Sequence, residues 1–393
     1  MLKKTLRFVL IVLILLTAFV LIQTFRFSTS IAHTKAMAAP ALNDSAIQHM
    51  SKAIQIRTIS ISDTAAIDTV AFQQFKIFLE NTYPLIHERL TRVAINQFSY
   101  IYYWEGKNKT LPPYILMAHS DVVPVEKSSE NLWHAQPFSG EIKDSAIWGR
   151  GAIDDKGCLI SIMEAVENLL QKNYQPERSF YLCFGHREEL GGKGGADAIV
   201  EWLDSNHVKP ALVLDEGGII TKDNFKDLGR PIALLGVVQK GYASFDMSVQ
   251  LEGGHSSMPA KETAIDILSK ALVNIRKEQM PVSFSLPTQM MLQKIGPGMP
   301  FTTRMAIANE WLFKPLLVAQ FEKGNATNAT IHTTIVPTII DAGIKDNVVP
   351  SSATAVINSR IMPGQTYKDV LAFLQKAIND DRVKITVQKE TSG

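Results

Sequence analysis

Ile115-Leu116-Met117-Ala118-His119-Ser120-Asp121 decides the fold of this chain: four consecutive apolar residues give way to an imidazole, a hydroxyl and a carboxylate. A run this short, apolar at every position, suits a strand buried on both faces of a sheet. Working outward, Phe180-Tyr181-Leu182-Cys183-Phe184 and Ala211-Leu212-Val213-Leu214 repeat the pattern, each bounded by polar or turn residues. Between the first two, Leu159, Ile160, Ile162, Met163, Val166, Leu169 and Leu170 recur near the 3.6-residue period of a helix with one apolar face. Strands alternating with helices predict an α/β fold, an open and mostly parallel sheet flanked by helices.

Each of these strands hands over to potential metal ligands. The first leads into His119-Ser120-Asp121, the second into Glu188-Glu189 and the third into Asp215-Glu216, while the Gly149-Arg150-Gly151 turn ahead of the helix leads into Asp154-Asp155. In open α/β sheets ligands sit in the crevice beyond the carboxyl ends of the strands, so separate chain segments deliver acids and an imidazole to one rim. One histidine with several carboxylates suits Zn²⁺ or a similar first-row ion, and an aspartate can bridge two such ions. Hydrolysis at neutral pH needs an activated water and a base to take its proton, tasks that the Glu188-Glu189 pair can divide. Taken singly, each group has a plainer meaning: a structural histidine, a solvated pair of glutamates, helix-capping aspartates, or a turn at Asp215-Glu216-Gly217-Gly218. Their joint placement at successive strand ends is what singles them out.

The 393 residues are 46% hydrophobic and 20% charged, an ordinary globular composition long enough for two lobes. A formal charge of +2 offers no field to gather phosphates, so nucleic acid is not an expected partner. Cys158 and Cys183 lie inside apolar segments and read as buried thiols, and no Gly-x-Ser-x-Gly elbow supports a serine hydrolase. At the N-terminus, Lys3, Lys4 and Arg7 precede an apolar run from Phe8 to Ile22 that continues through Phe25. Phe8 to Phe25 spans about 27 Å as a helix, close to the hydrocarbon thickness of a bilayer. Residues 1–30 therefore read as a transmembrane anchor with its basic end in the cytoplasm and the remainder outside it, in a periplasmic, lumenal or extracellular space. A cleaved signal at Ala36-Met37-Ala38, giving a secreted protein, is the alternative, although that site lies far beyond the apolar run.

Residues 31–45 read as a stalk and 46–236 as the first part of the site-bearing domain. From Gly236 the rhythm changes. Ala243 to Leu251 alternates like a strand, Thr263 to Ile275 is helical in period, and a long Met/Pro-rich stretch follows. Its methionines, Met280, Met290, Met291, Met299 and Met305, read as core filler in preference to the lining of a channel. An alternating segment Ala353 to Ile361, a helix Tyr367 to Ile378 and a strand Val383 to Val387 complete a compact α+β lobe over 237–390.

Met117-Ala118-His119-Ser120-Asp121-Val122-Val123-Pro124, Gly149-Arg150-Gly151-Ala152-Ile153-Asp154-Asp155-Lys156-Gly157, Glu188-Glu189-Leu190-Gly191-Gly192 and Leu214-Asp215-Glu216-Gly217-Gly218, in this order, resemble the signatures of the co-catalytic zinc exopeptidases. Within that family they are most similar to the carboxypeptidase S and N-fatty-acyl-amino-acid synthase/hydrolase branch, from about residue 45 to the end. The resemblance implies a zinc-peptidase-like sheet with an inserted α+β lid/dimerisation domain beginning near Lys240-Gly241. It implies two zinc ions, with His119 and Asp215 holding one, Glu189 holding the other and Asp154 bridging them. Glu188 is then the general base, and Asp121 fixes the His119 ring from behind. The lid implies a homodimer in which His255 reaches the neighbouring subunit's site to polarise the scissile carbonyl. Arg360 becomes the candidate grip on a substrate carboxylate, because its planar fork pairs bidentately with such a group, a surface salt bridge being its plain alternative.

The activity so implied is hydrolysis of an amide bond beside a free carboxylate in short peptides or N-acyl amino acids. A membrane-tethered binding homologue that has lost catalysis is the competing expectation. Two departures from the family pattern bear on this choice. Arg187 stands where relatives carry an acid, and a cation pointing inward there would lower the basicity of Glu188. The family pattern also returns from the lid to supply a final histidine to the second zinc; this sequence reaches Gly393 without it, His332 is not its counterpart, and weak binding at the second position is the expectation.

Overall fold

The structure, a computed structural model, describes residues 2–28, 43–62, 66–222 and 228–391. Most of the expected stalk, including Ala36-Met37-Ala38, lies outside the described residues. The chain divides into two compact units, Lys35–Gly217 and Met1–Thr34 with Gly218–Gly393. Helix α1 (Leu2–Arg26) is long and apolar enough to cross a membrane by length and composition.

In the unit Lys35–Gly217, helix α2 (Asp44–Gln55) begins where the Asn43 side chain accepts the Ser45 amide. Helices α3 (Thr69–Thr82) and α4 (Pro84–Arg89) precede strands β1 (Thr91–Ile95), β2 (Ser99–Trp104) and β3 (Tyr114–His119). A small hairpin, β4 (Glu141–Lys143) and β5 (Ala146–Trp148), leads to helix α5 (Lys156–Gln171), strand β6 (Phe180–Gly185), helix α6 (Ala196–Ser205) and strand β7 (Leu212–Leu214). The sheet runs β1-β2-β6-β3-β7, with β3 parallel to both β6 and β7. The β1–β2 and β2–β6 pairs are antiparallel, so the sheet is mixed. The reason lies in the connections. β1 and β2 are joined by a tight turn with Asn96 and Gln97 at positive φ, which only an antiparallel pair can use, whereas β3 reaches β6 by a long crossover through α5.

Helices cover both faces of this sheet, as parallel strands require. Leu159, Ile160 and Met163 of α5 pack with Phe75, Tyr102, Leu182 and Phe184 on one face, and Ile199 and Leu203 of α6 pack with Ile101, Ile115 and Cys183 on the other. Each fully buried side chain of this size contributes about 1.5–3 kcal/mol. The period-3.6 residues read from the sequence are thus the buried stripe of α5. Cys183 is buried, Cys158 is partly buried, and both are free thiols.

The second unit opens with a hairpin, β8 (Ile219–Thr221) and β9 (Ile232–Leu234), which draws the boundary to Gly217–Gly218, ahead of the expected position at 236. Strands β10 (Gly241–Gln250) and β11 (Gly254–His255) precede helices α7 (Ala264–Lys277), α8 (Leu286–Ile295), α9 (Phe301–Ala308), α10 (Glu310–Phe321) and α11 (Asn325–Ala329). Strands β12 (Thr334–Ala342), β13 (Val348–Val349) and β14 (Ser352–Ile361), helix α12 (Tyr367–Ile378) and strand β15 (Val383–Thr391) follow. An antiparallel sheet in the order β12-β14-β10-β15 buries Phe245, Met247 and Ile357 against Ile267 and Leu268 of α7 and Val370 and Leu374 of α12. Both covering helices start with capping boxes, Thr263 with Asp266 and Thr366 with Asp369. The Met/Pro-rich stretch forms α8 to α10. Met280 enters the sheet core as filler does, while Met290 is exposed.

Candidate metal centre

The site grows from the end of β3, within the unit Lys35–Gly217. The His119 amide donates to Asp155 Oδ2 at 3.1 Å, and the ring is buried. Ring Nδ1 lies 3.0 Å from the Asp121 carbonyl oxygen and donates to it, which leaves Nε2 as the free donor atom. That nitrogen stands 2.9 Å from Asp154 Oδ1, 3.4 Å from Glu216 Oε2 and 3.8 Å from Glu188 Oε2. Three segments of the chain therefore aim carboxylates at one imidazole nitrogen.

Asp121, fully buried, is the hub behind them. Its Oδ1 accepts the Glu188 amide at 3.0 Å and its Oδ2 accepts the Glu189 amide at 3.3 Å. These bonds anchor the short turn Glu188–Leu190, which begins at Arg187 and ends at Gly191, both left-handed. Burial opposes the Asp121 charge, but hydrogen bonds and the His119 charge outweigh it and hold the carboxyl below its ordinary value. On the other side, Gly151 at φ +86° lets the chain turn against Val122 before α5, presenting Asp154 outward and Asp155 inward. Lys156 is fully buried beneath, donating to the carbonyls of Ala53 and Ile56 over the Phe75 ring, and burial pulls its pKa down to about 7.

The electrostatics of the pocket follow from crowding. Burial raises Glu188, with His119 opposing and Asp121, Asp154 and Asp215 adding to the rise. Burial and the Asp154 charge raise Glu189, and burial lifts Glu216 to about 7 against the His119 charge. His119 is held at about 10: burial resists its charge, but Asp121, Glu216 and Glu188 prevail. The net direction for Glu188 is upward, set by burial and the surrounding acids, opposite to the depression expected from an inward-pointing Arg187.

Donor atoms of His119, Asp154 and Glu216 all lie within 4.8 Å of one another. One imidazole nitrogen with its partner nitrogen tied to a carbonyl, facing mutually repelling carboxylates, fits a divalent first-row cation. Glu216 belongs to the Asp215-Glu216 pair read from the sequence, in which the family resemblance points to Asp215; Asp215 Oδ1 accepts the Glu216 amide at 3.0 Å, and its charge acts on Glu188 in the same pocket. Glu189 shares the pocket's field without joining that trio. The remaining two candidates belong to the second unit. His255 is exposed on β11, its Nδ1 2.8 Å from Ser257 Oγ, and Arg360 lies on β14 with its guanidinium 5.0 Å from the Tyr242 ring centre.

A layered α/β sheet that gathers an imidazole and carboxylates beyond its parallel strand ends defines the class: an α/β protein with a candidate metal centre at its strand ends. The chain belongs to peptidase family M20/M25/M40, whose family model matches residues 115–324, more than half of its length. It is 39% identical over 344 residues to an N-fatty-acyl-amino acid synthase/hydrolase of Xenopus tropicalis, an alignment covering 87% of this chain and 66% of the relative. It is 30% identical over 348 residues to carboxypeptidase S of Saccharomyces cerevisiae, covering 82% of this chain and 58% of the relative. The chain thus spans about two thirds or less of the length of these relatives. Among solved structures, an M20 family metallo-carboxypeptidase of Sulfolobus solfataricus shares the fold with a TM-score of 0.59 at 20% identity, over 89% of this chain and 79% of that one.

Proposed function

We propose that this protein hydrolyses an amide bond adjacent to a free carboxylate, acting as a carboxypeptidase or N-acyl-amino-acid hydrolase on short peptides or N-acyl amino acids. The observation that carries the proposal is the convergence of Asp154, Glu216 and Glu188 on His119 Nε2 at 2.9, 3.4 and 3.8 Å. The names of the similar proteins favour the same bond type.

The site would take two zinc ions, with His119, Asp154, Glu189 and the Asp215-Glu216 pair as the residues that would hold them. Bound there, they supply an acidified water and a Lewis acid for the carbonyl. Glu188, raised by burial and standing at the edge of the pocket, takes the water proton and returns it to the leaving nitrogen. Asp121 sets the rotation of the His119 ring and the position of the Glu188 turn. His255 polarises the scissile carbonyl from a partner subunit of a homodimer formed through the second unit, and Arg360 pairs with the substrate carboxylate. Helix α1 tethers the protein to a membrane with the site outside the cytoplasm. Purified protein assayed against Gly-X dipeptides and long-chain N-acyl amino acids, with and without chelator, tests the reading. Turnover that stops with chelation and returns with zinc is expected; turnover indifferent to chelation overturns it.

A further inference from the structure

The second unit carries an apolar surface that its own core does not explain. Helix α10 buries Leu317 with Phe313 and Val318 among Phe284, Leu292 and Ile331. Its opposite face, where water would be, presents Trp311, Leu312, Pro315, Leu316 and Ala319, all exposed, with Trp311 at 59% and Leu316 at 61%. Those positions recur at i, i+1, i+4, i+5 and i+8, one continuous helical stripe. A helix apolar on two opposite faces belongs in a core or in lipid, and this one is not enclosed.

What lies beside α10 indicates the occupant. Asn309, fully buried between α9 and α10, donates from Nδ2 to the Val20 carbonyl and to Thr24 Oγ1 of α1, both at 3.2 Å. Phe19 meets Trp311 edge-on at 6.1 Å between ring centres, and Phe25 meets Phe301 at 6.0 Å. A side chain at Gly296 would strike Phe27 at 2.7 Å. These contacts fall toward the C-terminal end of the apolar run and, at Phe27, just beyond it, and Phe19 to Phe25 rises about 9 Å along the helix axis. A buried side-chain amide bonding across to a neighbouring helix is also how spanning helices are joined.

We propose that the helix pair α9–α10 is embedded in the outer leaflet of a phospholipid bilayer beside α1, its Trp311–Leu316 stripe facing acyl chains. The inference rests on the reading of α1 as a membrane tether. If Val20 and Thr24 lie within the hydrocarbon, the α9–α10 junction bonded to them through Asn309 lies at the same depth, and the exposed stripe beside it is solvated by lipid without cost. Lys314, stacked 5.6 Å from the Phe284 ring, can extend its amine toward the headgroups.

The test uses the full chain reconstituted in phosphatidylcholine vesicles, with flotation as the check on tethering. The emission lost in Trp311→Phe reports Trp311, and a second probe is Leu316→Trp placed in that background. The expected result is co-flotation with vesicles, blue-shifted emission from both probes, quenching by lipid brominated in the upper acyl chain and protection from acrylamide. Co-flotation with both probes quenched by acrylamide overturns the immersion of α9–α10 while leaving the tether intact. Co-flotation with probes shielded from both quenchers, together with a dimer by sedimentation, assigns the stripe to a second copy and also overturns it. Failure to float removes the tether and this proposal with it.

Discussion

Asp121 holds the backbone amide of Glu188 at 3.0 Å through the same carboxylate that stands behind the His119 ring, so the candidate base and the candidate metal-binding imidazole share one support. Removing that support has two separable effects. Asp121→Ala leaves the Glu188 and Glu189 amides unpaired, each costing roughly 1–3 kcal/mol, so a lower Tm is expected by calorimetry. Asp121→Asn keeps the shape but not the charge, and zinc affinity is expected to fall about 10–100-fold in competition titrations. Unchanged affinity in the asparagine variant would dismiss the shared-support role.

Glu188→Gln removes the proton acceptor without altering size. Turnover is expected to drop about 10²–10⁴-fold while zinc content, measured by elemental analysis, stays at the wild-type level. A loss of zinc in step with activity would move Glu188 from base to ligand.

Glu216 sets a pH signature in protein stripped of metal. Its folded pKa of about 7 exceeds the ordinary 4.5, so between these values the folded chain holds a proton that the unfolded chain has released. The stabilising contribution is complete below 4.5 and is lost as pH rises through 7. Denaturation midpoints of the stripped protein are expected to fall across that window, the slope flattening in Glu216→Gln or on adding zinc. A flat profile in the stripped wild type would contradict the crowding of carboxylates around His119.

Gly151→Ala addresses the turn that presents Asp154. A methyl group at φ +86° is strained by roughly 1–2 kcal/mol and would stand 2.7 Å from Val122 Cγ1. Lower stability and weaker zinc binding are expected together, read by thermal melts and titration. A variant with wild-type affinity would show that the turn does not set the Asp154 position.

Much of this architecture was legible in the sequence because its patterns are strong. The helix read from Tyr367 to Ile378 has those bounds, and the apolar runs ending at Ala118 and Phe184 are β3 and β6 within a residue or two. Convergence of His119 and Asp154 was legible because both sit where an α/β sheet opens its crevice. The division of roles between Asp215 and Glu216 was not: both adjacent carboxylates follow β7 and both act on the same pocket, so composition does not separate them. The helices α8 to α10 were equally hidden. Apolar residues occupy two opposite faces of α10, so no single-faced periodicity marks it, and Pro315 inside it argues against a helix by local rules.

The parallel register that pairs His119 with Gly185 and Leu116 with Leu214 makes the strand ends a common datum line. Deleting one residue inside β6 would pull the Glu188 turn back by about 3.3 Å and reverse which sheet face every following side chain meets. The loops beyond that line carry no such constraint. Divergence of specificity on this scaffold is therefore channelled into loop length and composition, while the strand interiors are held to a fixed residue count.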